Sequence, residues 1–161
     1  MEHCFVKQSK QPKADAYEVL LKEIESMISC ESDEVAVFAN VASALHDTFP
    51  FLWTGFYIVR GEYLVLGPFQ GSVACFRIKN GRGVCGTAWR EKKTLLVPDV
   101  NSFEGHIACS SLSRSEIVVP IFRGKDVCAV LDIDSDKESF FDDTDKCYLE
   151  KLVALISNRI Y

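Results

Sequence analysis

The sequence predicts one α+β domain, a central antiparallel sheet with helices packed on it. Three observations predict it. Two apolar stripes at helical spacing open the ordered part of the chain, and a third closes it. Between them lie short β-branched and aromatic runs separated by glycine turns. At 161 residues, 48% hydrophobic and 25% charged, the chain fits a single soluble domain able to bury a real core.

The elements follow in order. Residues 1–13, MEHCFVKQSKQPK, are polar and broken and read as a flexible leader, with the domain running over 14–161. Tyr17, Leu20, Leu21, Ile24, Met27 and Ile28 recur at helical spacing. A second helix carries Val35, Phe38, Ala42, Leu45 and Phe49 on one stripe, with Ser32 or Asp33 as N-cap and Pro50 as its stop. FLWTGFYIVR and YLVLGPF, joined at Gly61-Glu62, form a hairpin, and VACFRI reads as a third short strand. Gly81-Arg82-Gly83-Val84 turns the chain into a short helix, CGTAWREK, and TLLVPDV is a further extended piece. Residues 101–115 hold Gly105 and five serines and form a loop long enough to be functional. SEIVVPIF and DVCAVLDID make a second hairpin about Gly124. A last helix, from near Asp142 to Arg159, presents Tyr148, Leu149, Leu152, Val153, Ile156 and Ile160.

Composition narrows the function. The net charge is −5 and no basic stripe interleaved with aromatics stands out, which speaks against nucleic acid as a partner. No signal-peptide h-region and no apolar run long enough to span a membrane is present, so a cytoplasmic location is expected and no membrane partner. In that compartment seven cysteines do not read as a disulfide framework, and the count is odd.

The plain reading of a free cysteine is a small buried apolar side chain. It suffices for Cys30 and Cys147 in amphipathic helices and for Cys128 in a strand, and Cys4 falls in the leader. Cys109 differs, because it lies in a Gly/Ser-rich loop three residues after His106, where loop N–H groups and an imidazolium favour the reactive thiolate. Cys85 follows a Gly-x-Gly turn at a helix N-terminus, where the macrodipole lowers a thiol pKa. Cys75 is placed in the short strand just before. Redox chemistry at these three competes with a plain thiol reading. A zinc site has little support: there is no Cys-x-x-Cys or His-x-x-x-His pair, and the ligands would have to be Cys75, Cys85, His106 and Cys109. No metal site is expected.

Asp132 and Asp134, two apart on a strand, project from the same face of a mostly buried element. Either they solvate at the strand exit or they need a partner, since an unpaired buried carboxylate is costly. Glu116 begins the partner strand. A symmetric turn at Gly124-Lys125 sets it opposite Ile133, on the wrong face; a three-residue loop or a bulge shifts the pairing by one and unites the three acids. United, they would hold an ammonium group and keep one acid protonated as a proton donor. Trp53 and Tyr57 are either core aromatics or the apolar wall for a thioether-like group.

LVLGPFQGSVACFRIKNGRGVCGTAW, DVNSFEGHIACSSLSRSEIVVPI and AVLDIDSD together resemble the free methionine-(R)-sulfoxide reductases built on a GAF domain. The resemblance covers about Ala14 to the C-terminus, and generic GAF domains lack its three-cysteine pattern. It implies the α+β GAF fold, reduction of free methionine-(R)-sulfoxide, thioredoxin as reductant, no metal or organic cofactor and, commonly, a homodimer. It also implies Cys109 as nucleophile, Cys75 as resolving thiol and Cys85 as a second resolving or relay thiol. Glu116, Asp132 and Asp134 match the substrate-binding and proton-donating acids, and Trp53 and Tyr57 the enclosure of the methyl sulfoxide.

The competing expectation is a non-catalytic GAF module that senses a small ligand or redox state. The length of the chain leaves no room for an output domain, which favours the enzyme.

Overall fold

The computed structural model describes residues 12–107 and 110–161. Nearly all of the expected leader, with Cys4, and the whole of Cys109 therefore lie outside the described residues. Helices α1 (Lys13–Ile28) and α2 (Glu34–Thr48) come first. Strands β1 (Trp53–Arg60), β2 (Tyr63–Gln70) and β3 (Arg77–Lys79) follow, then α3 (Gly83–Glu91) and β4 (Leu95–Val97). A single 3-10 turn, Val100–Ser102, precedes β5 (Ser115–Arg123), β6 (Asp126–Ser135) and α4 (Asp143–Ile160). All six strands join one antiparallel sheet in the order β3-β2-β1-β6-β5-β4. The α+β architecture is as expected from the hydrophobic patterning. The two edge strands are three residues each, too short to invite edge-to-edge pairing.

Each face of the sheet has its own apolar core. On one, Ile117, Val119, Leu131 and Ile133 pack against Leu20, Ile24, Phe38, Val41, Leu149 and Ile156 of α1, α2 and α4. On the other, Trp53, Tyr57, Val118 and Val130 pack with Val84, Cys85 and Ala88 of α3. Three helices thus stabilise the fold from behind, and the thinner layer of α3 and loops on the opposite face leaves room for a site.

The helix ends follow their residues. Asp33 caps α2 by accepting from the Ala36 N–H at 2.9 Å. Asp142 and Asp145 form a capping box on α4. Asp145, fully buried, also accepts from Tyr17 Oη at 2.8 Å and Lys13 Nζ at 2.7 Å, which ties α1 to α4. Patterning did not single out that acid, because its partners are about 130 residues away.

Four local expectations are corrected. The strand expected over VACFRI is only Arg77–Lys79, so Cys75 precedes it in an irregular segment. Val35 points to solvent, and the buried stripe of α2 runs through Val37, Phe38, Val41 and Leu45. Cys30 lies beyond the end of α1 and is exposed. Cys147 is on α4 but on its solvent face, so neither is a core thiol.

Candidate active site

The second hairpin decides what faces the thin layer. Arg123 pairs with Asp126 around Gly124-Lys125, and Phe122 with Val127. Ile121 then pairs with Ala129, so Cys128 is an extra residue in β6. The bulge shifts every pairing beyond it by one. Glu116 therefore sits directly opposite Asp134, and Asp132 opposite Val118. Of the two registers open to the sequence, this one unites the acids.

Across the sheet, β1 lays Trp53 beside Asp134 and Gly55 beside Asp132. A β-carbon at Gly55 would meet the Trp53 ring at 2.5 Å and Phe69 Cβ at 2.4 Å. Only glycine lets that indole lie over the strand. The Trp53 ring stacks on Phe69 with centroids 5.3 Å apart and donates its Nε1–H to Ser72 O at 3.0 Å. Tyr57 lies two residues beyond Gly55 on the same face and donates its hydroxyl to Cys75 O at 3.0 Å. The two aromatics thereby anchor the segment that carries Cys75.

Gly83, at φ +60°, turns the chain into α3 beneath Ile107. That turn delivers Cys85 to the carboxylates, its Sγ 3.9 Å from Glu116 Oε1. From the other side Ser113 donates to Asp134 Oδ1 at 2.5 Å. These elements enclose a cavity of about 40 Å³ with Glu116, Asp132 and Asp134 at its floor and Trp53 and Tyr57 in its wall. Ile107 and Ser110, which flank the two residues outside the description, both line it.

The electrostatics are one-sided. Glu116 and Asp132 are 6% and 7% exposed. Among the described residues that line the cavity there is no Lys or Arg. Burial, and then the charges of Asp132 and Asp134, push the Glu116 carboxyl well up from its ordinary range. Burial and Asp134 do the same to Asp132. Burial raises Asp134 to about 6, with the Ser113 hydroxyl opposing the rise. Asp132 Oδ1 is buried with no hydrogen-bond partner. A floor of three crowded acids with a bare oxygen favours a positively charged group.

Two expectations about reactivity change. The helix N-terminus does not lower the Cys85 thiol. Complete burial and the nearby Asp132 and Glu116 charges push it well up, because desolvation and like charge outweigh a partial dipole. His106 is no standing imidazolium, since burial pushes its pKa down from the ordinary value. Cys75 is disulfide-bonded, whereas Cys30, Cys85, Cys128 and Cys147 are free thiols. The expected nucleophile, Cys109, lies outside the described residues.

Patterning missed two contributors. Ser113 was one of five serines in a loop without periodicity. Ser72 acts through its carbonyl, which no side-chain pattern reveals.

Known proteins fit this geometry. The GAF domain family model matches residues 33–160. GAF domain-containing protein A of Dictyostelium discoideum is 53% identical over 151 residues, 93% of this chain and 96% of its own. The free methionine-R-sulfoxide reductase of Escherichia coli is 41% identical over 143 residues, 88% of this chain and 87% of its own. The free methionine-R-sulfoxide reductase of Neisseria meningitidis, solved in complex with its substrate, superposes with a TM-score of 0.92 at 47% identity, over 96% of this chain and 93% of that one. With a matched model over most of its length and full-length relatives well above 30% identity, the chain belongs to the GAF domain family, in the group that includes the free methionine-R-sulfoxide reductases.

Proposed function

We propose that the protein reduces free L-methionine-(R)-S-oxide to L-methionine, using thioredoxin as reductant. One observation carries the reading: among the described residues three carboxylates, Glu116 and Asp132 buried and Asp134 half-buried, meet without a Lys or Arg at the floor of a pocket walled by Trp53 and Tyr57, and one oxygen of Asp132 is unpartnered. The ammonium of a free amino acid complements that floor. A peptide-bound residue offers only a neutral amide there. The uncapped first turn of α3, whose Val84 and Cys85 line the pocket, suits the α-carboxylate, and the aromatic wall suits the thioether end.

In this reading Cys109, as thiolate, attacks the sulfoxide sulfur. A protonated acid of the Glu116/Asp132/Asp134 group donates to the sulfoxide oxygen, and their raised proton affinity is what keeps such a donor available near neutral pH. Methionine departs and Cys109 retains the oxygen as a sulfenic acid. The Cys75 thiol condenses with it, releasing water and forming a Cys75–Cys109 disulfide. Thioredoxin dithiol then reduces that bond by exchange. The sum is sulfoxide plus dithiol giving methionine, disulfide and water. Cys75 already being disulfide-bonded supports its resolving role. Cys85, buried and held as a thiol, suits a relay after rearrangement less well than it suits donation to Glu116.

The deciding assay mixes the protein with thioredoxin, its reductase, NADPH and racemic methionine sulfoxide. NADPH oxidation is expected to stop when about half the substrate is gone, because one sulfur epimer is refractory, and N-acetylated substrate is expected to stay inert. No turnover would leave the protein a binding module.

A reductant needs a landing surface beside Cys75. Val73 and Phe76, which bracket that residue, are 87% and 82% exposed. Large apolar side chains so exposed suit a protein partner. Phe76→Ser is expected to raise the KM for thioredoxin several-fold while leaving dithiothreitol-driven turnover unchanged. Equal effects with both reductants would assign Phe76 to the pocket itself.

A further inference from the structure

The pocket floor also brings together atoms able to ligate a metal ion. Cys85 Sγ, a Glu116 oxygen and an Asp132 oxygen all lie within 4.8 Å of one another, and all three residues are buried. The Sγ–Oε1 separation is 3.9 Å. Two ligands of a tetrahedral zinc, with Zn–S about 2.3 Å and Zn–O about 2.1 Å, stand about 3.6 Å apart. That edge would need to contract by only about 0.3 Å, and the other two edges also lie within 4.8 Å. Asp132 Oδ1, one of the acid oxygens of this floor, is buried with no hydrogen-bond partner.

We propose that this floor is a reversible binding site for a zinc-class divalent cation, held by Cys85 Sγ and one oxygen each from Glu116 and Asp132. The fourth position opens into the cavity, where Asp134 or solvent completes the set. One thiolate among so few ligands selects a borderline cation. Magnesium and calcium, which need six or more oxygens, are poorly served. Binding displaces the thiol proton and supplies the positive charge that the crowded acids lack. The cation and an ammonium group would draw on the same acids, so they exclude one another. Metal binding here is independent of the reductase reading; only its inhibitory consequence rests on that reading.

Cobalt is the probe, because a thiolate ligand gives Co²⁺ a near-ultraviolet charge-transfer band. The experiment uses a full-length Cys75→Ser/Cys109→Ser variant, so that neither of those thiols can supply the sulfur. One equivalent of Co²⁺ is expected to produce the band, and Zn²⁺ but not Mg²⁺ to bleach it. Adding Cys85→Ser should abolish the band, and adding Asp132→Asn should weaken binding by more than about tenfold. A band that survives Cys85→Ser, or that is lost only with Cys30→Ser or Cys147→Ser, overturns the proposal. In the wild type, zinc inhibition competitive with methionine sulfoxide is expected. Should turnover be absent while cobalt still binds through Cys85, the reductase reading falls and the cation site stands.

Discussion

Cys109→Ser is expected to abolish turnover, with a loss of at least about 10³-fold, the scale on which removing a nucleophile acts. The reduced fold should hardly notice, because β1, β5, β6 and α3 frame the site. A serine hydroxyl is a poor nucleophile at neutral pH and cannot store the abstracted oxygen as a sulfenic acid. Cys75→Ser should behave differently: one methionine is released per chain in a single turnover, and thioredoxin-driven cycling stops. Mass spectrometry of the wild type after one turnover without reductant should find a Cys75–Cys109 bridge. A Cys85–Cys109 bridge would instead make Cys85 the resolving thiol. It would require that buried sulfur to leave Glu116, against the burial that keeps it protonated. Retention of turnover by Cys109→Ser would remove the chemistry from this loop altogether.

How much of this was legible in the sequence depended on the range of the forces involved. Helical stripes gave α1 and α4 nearly to the residue, because burial of one face repeats every turn. VACFRI has strand-like residues throughout, but the sheet pairs only Arg77–Lys79 with β2, which leaves Cys75 outside the strand. Chemistry at the site was legible as residue types, and its geometry hung on one backbone irregularity. The two-residue turn at Gly124-Lys125 and the bulge at Cys128 compete in their effect on register, and hydrophobic alternation is what fixes the outcome. With the bulge, Ile117, Val119, Leu131 and Ile133 all face the helices; without it, one strand's set would turn toward the pocket. Cys128 looks in sequence like a plain strand thiol, yet its position is what brings Glu116 to Asp134. The Cys85 thiol departs from the sequence expectation for a related reason. A helix N-terminus is visible in sequence, whereas three carboxylates around it belong to strands 31 or more residues away.

The carboxylates are expected to separate activity from stability in opposite directions. Glu116→Gln and Asp134→Asn keep shape and hydrogen-bonding capacity and remove the acid. Turnover should fall by about 10²–10⁴-fold, the usual contribution of a positioned proton donor, with a further loss from weaker ammonium binding. The unliganded fold should become more stable. Asp134 titrates at about 6 in the folded protein against about 3.9 in an unfolded chain, so the folded state binds the proton more tightly. Its contribution is therefore most favourable below pH ~4 and is lost as pH rises through about 6, an effect of up to about 3 kcal/mol. Glu116 and Asp132 are shifted in the same direction and add to it. At pH 8 the variants should melt a few degrees above the wild type, the scale of about 1–2 kcal/mol in a domain of this length. The gap should close as pH falls toward 4, where the wild-type acids are protonated already. Methionine, bringing the missing ammonium, should raise the wild-type Tm and barely move that of either variant. Variants that melt lower than the wild type at pH 8 would mean that the three acids hold the fold together and are not held ready, at its cost, for a ligand.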